Sequence, residues 1–115
     1  MVHKETTVGH IHLTVSDLDR ATAFYRDLLG FEISARYGDS AVFLSTGGYH
    51  HHIGLNTWNG HNAPPPPADA VGLRFMTVDY PNPSVLAEVT ARVENACIQY
   101  NKIDDGYLLQ DPAQI

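Results

Sequence analysis

The strongest constraint on the fold is an alternating strand that runs directly into a capped amphipathic helix. In residues 8–15 apolar side chains alternate with polar ones, the period of two that indicates a strand with one apolar face. Ser16 or Asp17 supplies the helix N-cap, apolar residues then recur at helical spacing, and Gly30 ends the helix. The apolar strand positions are Ile11, Leu13 and Val15.

Three further strands complete a first unit. Residues 31–37, 41–45 and 49–58 are predicted strands, and glycine-containing turns separate them. Residues 8–58 therefore read as β-α-β-β-β. The proline-rich segment 59–70 is predicted to be a stiff, extended linker.

The second unit, residues 71–115, repeats this order but lacks a fourth strand. Its helix is predicted to begin at Asn82, with Pro83 in the first helical position. Its strands are predicted at residues 71–78, 99–103 and 106–110. We therefore predict one α+β domain over residues 1–115, in which two βαβββ modules form curved mixed sheets around a shared cavity.

Composition and charge exclude several classes of function. Apolar residues make up 43% and charged residues 17%, as in globular domains. The net charge of −6 argues against nucleic acid and anionic membranes as partners. No secretory leader and no apolar run of about 18 residues is visible, so we expect a cytoplasmic protein that does not span a membrane. Cys97, the only cysteine, is predicted to be a core thiol at the end of the second helix.

Histidine is the residue type that points to chemistry. His10 and His12 lie two apart on the first strand, on the face opposite its apolar positions. Both imidazoles are therefore expected to point into the cavity. A single inward-facing histidine is most often a hydrogen-bonded core residue, but two on one strand make a structural and a functional role about equally expected.

A second group of histidines lies in residues 49–58. Ile53 and Leu55 are expected to face the helix together with His51. Imidazole is a common ligand of transition metals and a frequent acid–base group near neutral pH, whereas the alternative is a solvated polar patch. The residues expected to face the cavity are His50, His52, Gly54, Asn56 and Trp58.

Two motifs carry a family resemblance. Residues 9–32 contain His-x-x-Leu-x-Val-x-Asp-Leu followed by Ala-x-x-Phe-Tyr-x-Asp-x-Leu-Gly-Phe, and this stretch strongly resembles the start of vicinal oxygen chelate proteins. That superfamily includes glyoxalase I, bleomycin-resistance proteins, fosfomycin-resistance enzymes and extradiol dioxygenases. Residues 48–58, which read Gly-Tyr-His-His-His-Ile-Gly-Leu-Asn-Thr-Trp, look most like the catechol 2,3-dioxygenase branch.

The resemblance implies a reaction type and an assembly. A divalent ion, Fe(II) or Mn(II) in the dioxygenase branch, binds two neighbouring oxygens of a small molecule and acts as a Lewis acid. The family's paired modules frequently assemble as dimers. Because the second unit lacks a strand, it leaves a sheet edge open, and we expect a homodimer to cover such an edge.

The family's ligand set transfers only in part. In the dioxygenases the family's metal ligands are two histidines and one carboxylate. His10 matches the first of these ligands. The second ligand position falls on Phe75, or on Leu73 in a rival register, and neither side chain binds metals. The third is a glutamate about seven residues after the Asp-Pro turn at residues 111–112, and this carboxylate is expected to be absent as well, because the sequence ends at Ile115. His12, His50, His52 or another chain would then supply substitutes, or the metal is absent.

Two functions remain open on this pattern. The first is a metal-dependent, dioxygenase-like enzyme in which His10 binds the ion and His12 and His52 are catalytic, as ligands or acid–base groups. The second is a metal-free binding protein of the bleomycin-resistance type, which holds a small molecule against Trp58 and Phe75. A folded product without function is a third alternative.

Overall fold

A computed structural model describes all 115 residues and confirms the α+β class. The first helix, Leu18–Ala23, continues without a break into one π-helical turn, Phe24–Leu28. The elements in chain order are β1 Ile11–Thr14, α1 Leu18–Ala23, β2 Glu32–Tyr37, β3 Ala41–Ser45, β4 Ile53–Asn56, α2 Pro83–Asn95, β5 Tyr100–Ile103 and β6 Gly106–Leu109. None of the helices is long and apolar enough to cross a bilayer.

The first half of the chain forms a mixed four-stranded sheet in the order β1-β4-β3-β2. Strands β1 and β4 are parallel, whereas β4–β3 and β3–β2 are antiparallel. Leu13 lies opposite Leu55, and Leu55 lies opposite Val42. This row is fully buried and packs with the apolar side of α1, so one face of the sheet is the core and the other remains open.

The predicted caps of both helices are confirmed. The Asp17 carboxylate accepts a hydrogen bond from the Arg20 backbone N–H at 3.0 Å, and the Asn82 side chain accepts one from Val85 N–H at 3.0 Å. Gly30, which follows the first helix, has a φ of +92°. Short-range hydrogen bonds of this kind depend on a few neighbouring residues, which is why the sequence alone located both helix starts.

Two hydrogen bonds fasten α2 and the segment just before it to the end of the first helix. Arg92 Nε donates to the Leu28 carbonyl at 2.9 Å, and the Tyr80 hydroxyl donates to the Leu29 carbonyl at 2.7 Å. Both acceptors are carbonyls of the last helical turn, which have no partner within the helix. The predicted hairpin that follows α2 is also confirmed, as the antiparallel pair β5–β6.

The predicted strand over residues 71–78 is wrong. Val71, Leu73 and Phe75 are exposed, and no strand is formed there. Alternation supplies side chains that suit a sheet face, but a strand also needs a neighbour for its backbone groups, and none pairs with this segment within the chain. The expected equivalence of the two halves therefore extends only to the helix and the hairpin.

The fourth strand and the cysteine also differ from expectation. Strand β4 is shorter than the predicted 49–58, because its ladder pairing with β1 and β3 extends only over Ile53–Asn56. Cys97 is exposed, with a φ of +58°, and is not a core thiol. The chain turns directly after α2, so Cys97 does not continue the buried stripe of that helix.

A buried polar pair joins the first helix to the C-terminal turn. The Tyr25 hydroxyl donates to Asp111 Oδ2 at 2.8 Å, while Asp111 Oδ1 accepts from the backbone N–H groups of Ala113 at 2.8 Å and Ile115 at 2.9 Å. Burial, and then the adjacent carboxylate, raise the pKa of Tyr25 above its ordinary value. The hydroxyl therefore stays protonated and serves as a donor.

Tyr25→Phe is expected to lower the free energy of unfolding by about 1–3 kcal/mol, because it leaves a buried carboxylate with one donor fewer. Urea denaturation at neutral pH measures the loss. The control is Tyr37→Phe, since Tyr37 is 73% exposed and its change should have no measurable effect. Equal stability of the two variants would mean that the Tyr25–Asp111 hydrogen bond does not hold the C-terminal turn.

Candidate metal centre

Three histidines converge on the open face of the four-stranded sheet. His10 directly precedes β1, His12 lies within it, and His51 lies in the connection between β3 and β4. One ring nitrogen from each lies within 4.8 Å of the other two. The ring centroids are 4.4 Å apart for His10 and His51, 5.9 Å for His10 and His12, and 6.0 Å for His12 and His51. We call these three residues the histidine cluster.

The parallel pairing of β1 with β4 brings the cluster together. Ile11 lies opposite Ile53, and the Ile11 N–H donates to the His52 carbonyl at 2.9 Å. The residues just before β4 are therefore held beside the start of β1. His51 reaches His10 in this way, although the two are far apart along the chain.

A cross-strand row forms the floor of the cluster. His12 lies opposite Gly54, and Gly54 lies opposite Phe43. Directly paired residues point to the same face, so all three belong to the open face and not to the core. The Phe43 ring lies 4.9 Å from that of His51 and 5.7 Å from that of His12. The Phe43 ring therefore packs beside two of the three imidazoles, those of His12 and His51.

The environment of His51 favours a metal ligand. Its Nε2 atom is buried and has no hydrogen-bond partner. Burial, followed by the neighbouring histidines with His10 first, lowers the pKa of His51 below its ordinary value. Neutral imidazole is the form that binds metals, and an unpaired buried polar atom costs about 1–3 kcal/mol that a ligand at this atom would offset. The residues present therefore fit a divalent ion.

His51 corrects an expectation about the histidines. It was expected to face the helix with Ile53, yet it joins His10 and His12 on the open face. Strand alternation does not apply to position 51, because β4 begins only at Ile53. The cluster itself is exposed at His10 and His12, so the cavity expected around His10 is not enclosed.

The other two histidines of the segment lie beside the cluster. His52 Nδ1 accepts a hydrogen bond from the Thr46 backbone N–H at 3.3 Å, and its ring lies 4.6 Å from that of Tyr49. The His50 ring lies 4.7 Å from that of His51 but 6.4 Å from that of His10. Neither residue belongs to the set whose ring nitrogens converge.

The remaining predicted lining residues lie in different environments. Trp58 is 65% exposed, and its ring lies 6.0 Å from that of His12. Asn56 is buried at the end of β4, where its side-chain oxygen accepts a hydrogen bond from the Trp58 backbone N–H at 3.2 Å. Phe75 is 64% exposed in the segment that forms no strand. Trp58 is therefore the predicted lining residue whose ring lies beside the cluster.

Phe43 belongs to this site although the sequence pattern did not predict it there. The residue alternates with buried neighbours in β3, so the pattern placed it in a strand without showing what it would contact. Its contact with the cluster depends on the register of β3 against β4. No local signal in the sequence reports that register.

Comparison with known proteins identifies a family and close sequence similarity to one of its members. Residues 7–99 match the model of the Glyoxalase/Bleomycin resistance protein/Dioxygenase superfamily. A protein named catechol-2,3-dioxygenase from Bacillus subtilis (strain 168) is 50% identical over 109 residues. The alignment covers 94% of this chain but only 38% of that relative, so the chain spans well under half of the relative's length.

Solved structures share the fold at lower identity. A glyoxylase/bleomycin resistance protein/dioxygenase domain from Frankia sp. EAN1pec superposes with a TM-score of 0.70 at 21% identity, over 96% of this chain and 92% of that one. Lactoylglutathione lyase from Agrobacterium tumefaciens gives 0.60 at 23% identity, over 97% and 90%. Together with the family match, these findings confirm the resemblance to vicinal oxygen chelate proteins, and the chain belongs to the Glyoxalase/Bleomycin resistance protein/Dioxygenase superfamily.

Proposed function

We propose that this chain is a dioxygenase-like vicinal oxygen chelate protein that acts on a small, catechol-like molecule through a divalent ion. The observation that carries the proposal is the convergence of three imidazole nitrogens within 4.8 Å on an open sheet face. The name of the Bacillus relative supports the reaction class and the substrate class. Because that relative is much longer than this chain, its activity comes to this chain only as a proposal.

His10, His12 and His51 would hold the ion. A bound ion would supply Lewis-acid stabilisation to two neighbouring oxygens of the substrate. Imidazole suits Fe(II), whereas Mn(II) is better matched by carboxylates, and Fe(II) also binds more tightly in the general order of divalent affinities. Of the two ions that the resemblance suggests, we therefore propose Fe(II).

Two neighbouring side chains would serve the substrate. Trp58 offers an exposed aromatic face beside His12, and aromatic rings stack favourably on one another. The Trp58 backbone N–H donates a hydrogen bond to the Asn56 side-chain oxygen, which holds the backbone at Trp58 in place. His52 accepts a hydrogen bond at Nδ1, which leaves its proton at Nε2, and we assign it the acid–base role.

The expected homodimer remains a proposal. Strands β1 and β2 form the two edges of the four-stranded sheet. Edge strands with free backbone groups favour pairing with another chain. An open face beside β1 would also become more enclosed if a second copy packed against it.

Trp58 provides a direct test, because it is the only tryptophan in the chain. Protein purified without a histidine tag is titrated with Fe(II) under anaerobic conditions, and Trp58 fluorescence is recorded. We expect saturable quenching at about one ion per chain, followed by oxygen uptake when catechol is added in air. Chelator-treated protein is the control and should take up no oxygen. Binding below about 0.1 ion per chain would overturn the proposal.

A metal-free binding protein of the bleomycin-resistance type is the second candidate. The exposed ring of Trp58 on an open face favours it, because such a surface can bind an aromatic ligand without an ion. Catechol would then quench Trp58 in chelator-treated protein, and Fe(II) would produce no oxygen uptake. This pair of results would replace the first proposal with the second.

A further inference from the structure

Gly54 lies directly under the imidazole of His12. The two residues are partners in the β1–β4 ladder, on the same face of the sheet. A Cβ atom at position 54 would lie 2.5 Å from Nε2, 2.7 Å from Cδ2 and 2.8 Å from Cε1 of His12. Non-bonded carbon atoms prefer separations of about 3.5–4.0 Å, so the ring occupies this position only because residue 54 has no side chain.

The backbone conformation at position 54 does not explain the glycine. Other glycines of the chain, including Gly30 and Gly47, adopt left-handed φ values, but Gly54 does not. It lies in a fully buried strand, where glycine costs about 0.5–1 kcal/mol relative to alanine. A glycine inside a strand frequently marks the close approach of another group. Here the group that approaches is the His12 ring.

Neighbouring rings define the direction in which His12 points. Phe43 lies 5.7 Å away on the side of β3, and Trp58 lies 6.0 Å away at the end of β4. With Gly54 beneath it, the ring lies within reach of His10 and His51. A side chain at position 54 would push the ring off the sheet and out of this arrangement.

We propose that Gly54 is a positioning residue that makes His12 a ligand of the same ion as His10 and His51. This inference rests on the proposed function and resolves the role of His12, which the sequence left open between ligand and acid–base group. It also makes the ligand set entirely imidazole and entirely from the first half of the chain. Neither Phe75 nor a distant carboxylate is then needed to complete the set.

The fold and the site respond differently to a methyl group at position 54. The atoms that it would meet belong to the far end of a flexible side chain and not to the backbone. The imidazole can rotate away at little cost to the sheet. Gly54→Ala is therefore expected to keep the fold and to lose the ring position, which separates a positioning role from a structural one.

The test is a double-mutant cycle on Fe(II) affinity with Gly54→Ala, His12→Ala and the combined variant. We expect Gly54→Ala to weaken binding by about 10- to 100-fold, as loss of a supporting partner of a ligand does. In the His12→Ala background the same change should have no further effect, because the two residues act as a unit. Gly72→Ala is the matched control, since a Cβ there meets nothing within 4 Å.

A second measurement needs no metal. Proton NMR of the metal-free chain should show a nuclear Overhauser contact between the His12 ring and the Gly54 Hα protons, and its absence would overturn the inference. The inference would also be overturned if Gly54→Ala bound Fe(II) as tightly as the wild type does. The same holds if Gly54→Ala lowered Fe(II) affinity as much in the His12→Ala background as in the wild type. If Gly54→Ala unfolds and the combined variant unfolds as well, the role of the glycine is to maintain the strand. This result would also contradict the inference.

The two proposals can fail separately. A wild-type chain that binds no ion would overturn the proposed function, together with the ligand role of His12. A wild-type chain that binds Fe(II) as tightly as Gly54→Ala does would overturn the present inference alone.

Discussion

His51→Ala is expected to weaken Fe(II) binding by more than about 100-fold while the chain stays folded. The variant removes one of three converging nitrogens, so the loss should exceed the roughly 10- to 100-fold that removal of a supporting partner costs. It also removes a buried nitrogen that has no hydrogen-bond partner. Stability should therefore be unchanged or slightly higher, because an unsatisfied buried polar group costs about 1–3 kcal/mol.

Metal content and Trp58 quenching measure the first effect, and thermal unfolding of the metal-free chain measures the second. His61→Ala is the matched control, because His61 is exposed in the proline-rich segment. This variant should bind Fe(II) as tightly as the wild type does. Unchanged affinity of His51→Ala would show that the ion is bound elsewhere. A large loss of stability without metal would show instead that His51 has a structural role.

Leu55→Ala is expected to lower the free energy of unfolding by about 2–5 kcal/mol. Leu55 is completely buried in β4, between Leu13 of β1 and Val42 of β3. Truncation leaves a cavity that three hydrogen-bonded strands cannot easily close. Because small domains are stable by only about 5–15 kcal/mol, the variant should unfold at a much lower urea concentration.

Leu108→Ala is the control for this change, since Leu108 in β6 is half exposed. Surface truncations of this kind change stability by less than about 0.5 kcal/mol. A loss below about 1 kcal/mol in Leu55→Ala would mean that the central row of the sheet is not the main core of the fold.

Much of the fold could be predicted because its signals are local. Strand β3 was predicted with its observed bounds, and the caps at Asp17 and Asn82 were placed correctly up to the choice between Ser16 and Asp17. Caps and alternation act over a few residues, and the sequence displays them directly. The segment 71–78 has the same alternation as a strand, but alternation does not say whether a neighbouring strand exists to pair with it.

The candidate site also combines features that local sequence predicts with features that only the tertiary structure decides. The sequence by itself determined that His10 and His12 share the polar face of the first strand, because side chains alternate along a strand. Only the tertiary structure decided that His51 completes the cluster and that Gly54 and Phe43 lie beneath it. Those placements depend on the parallel pairing of β1 with β4 and on the register of β4 against β3. Pairing and register are set by the packing of the whole sheet against its helix, so no short stretch of sequence encodes them.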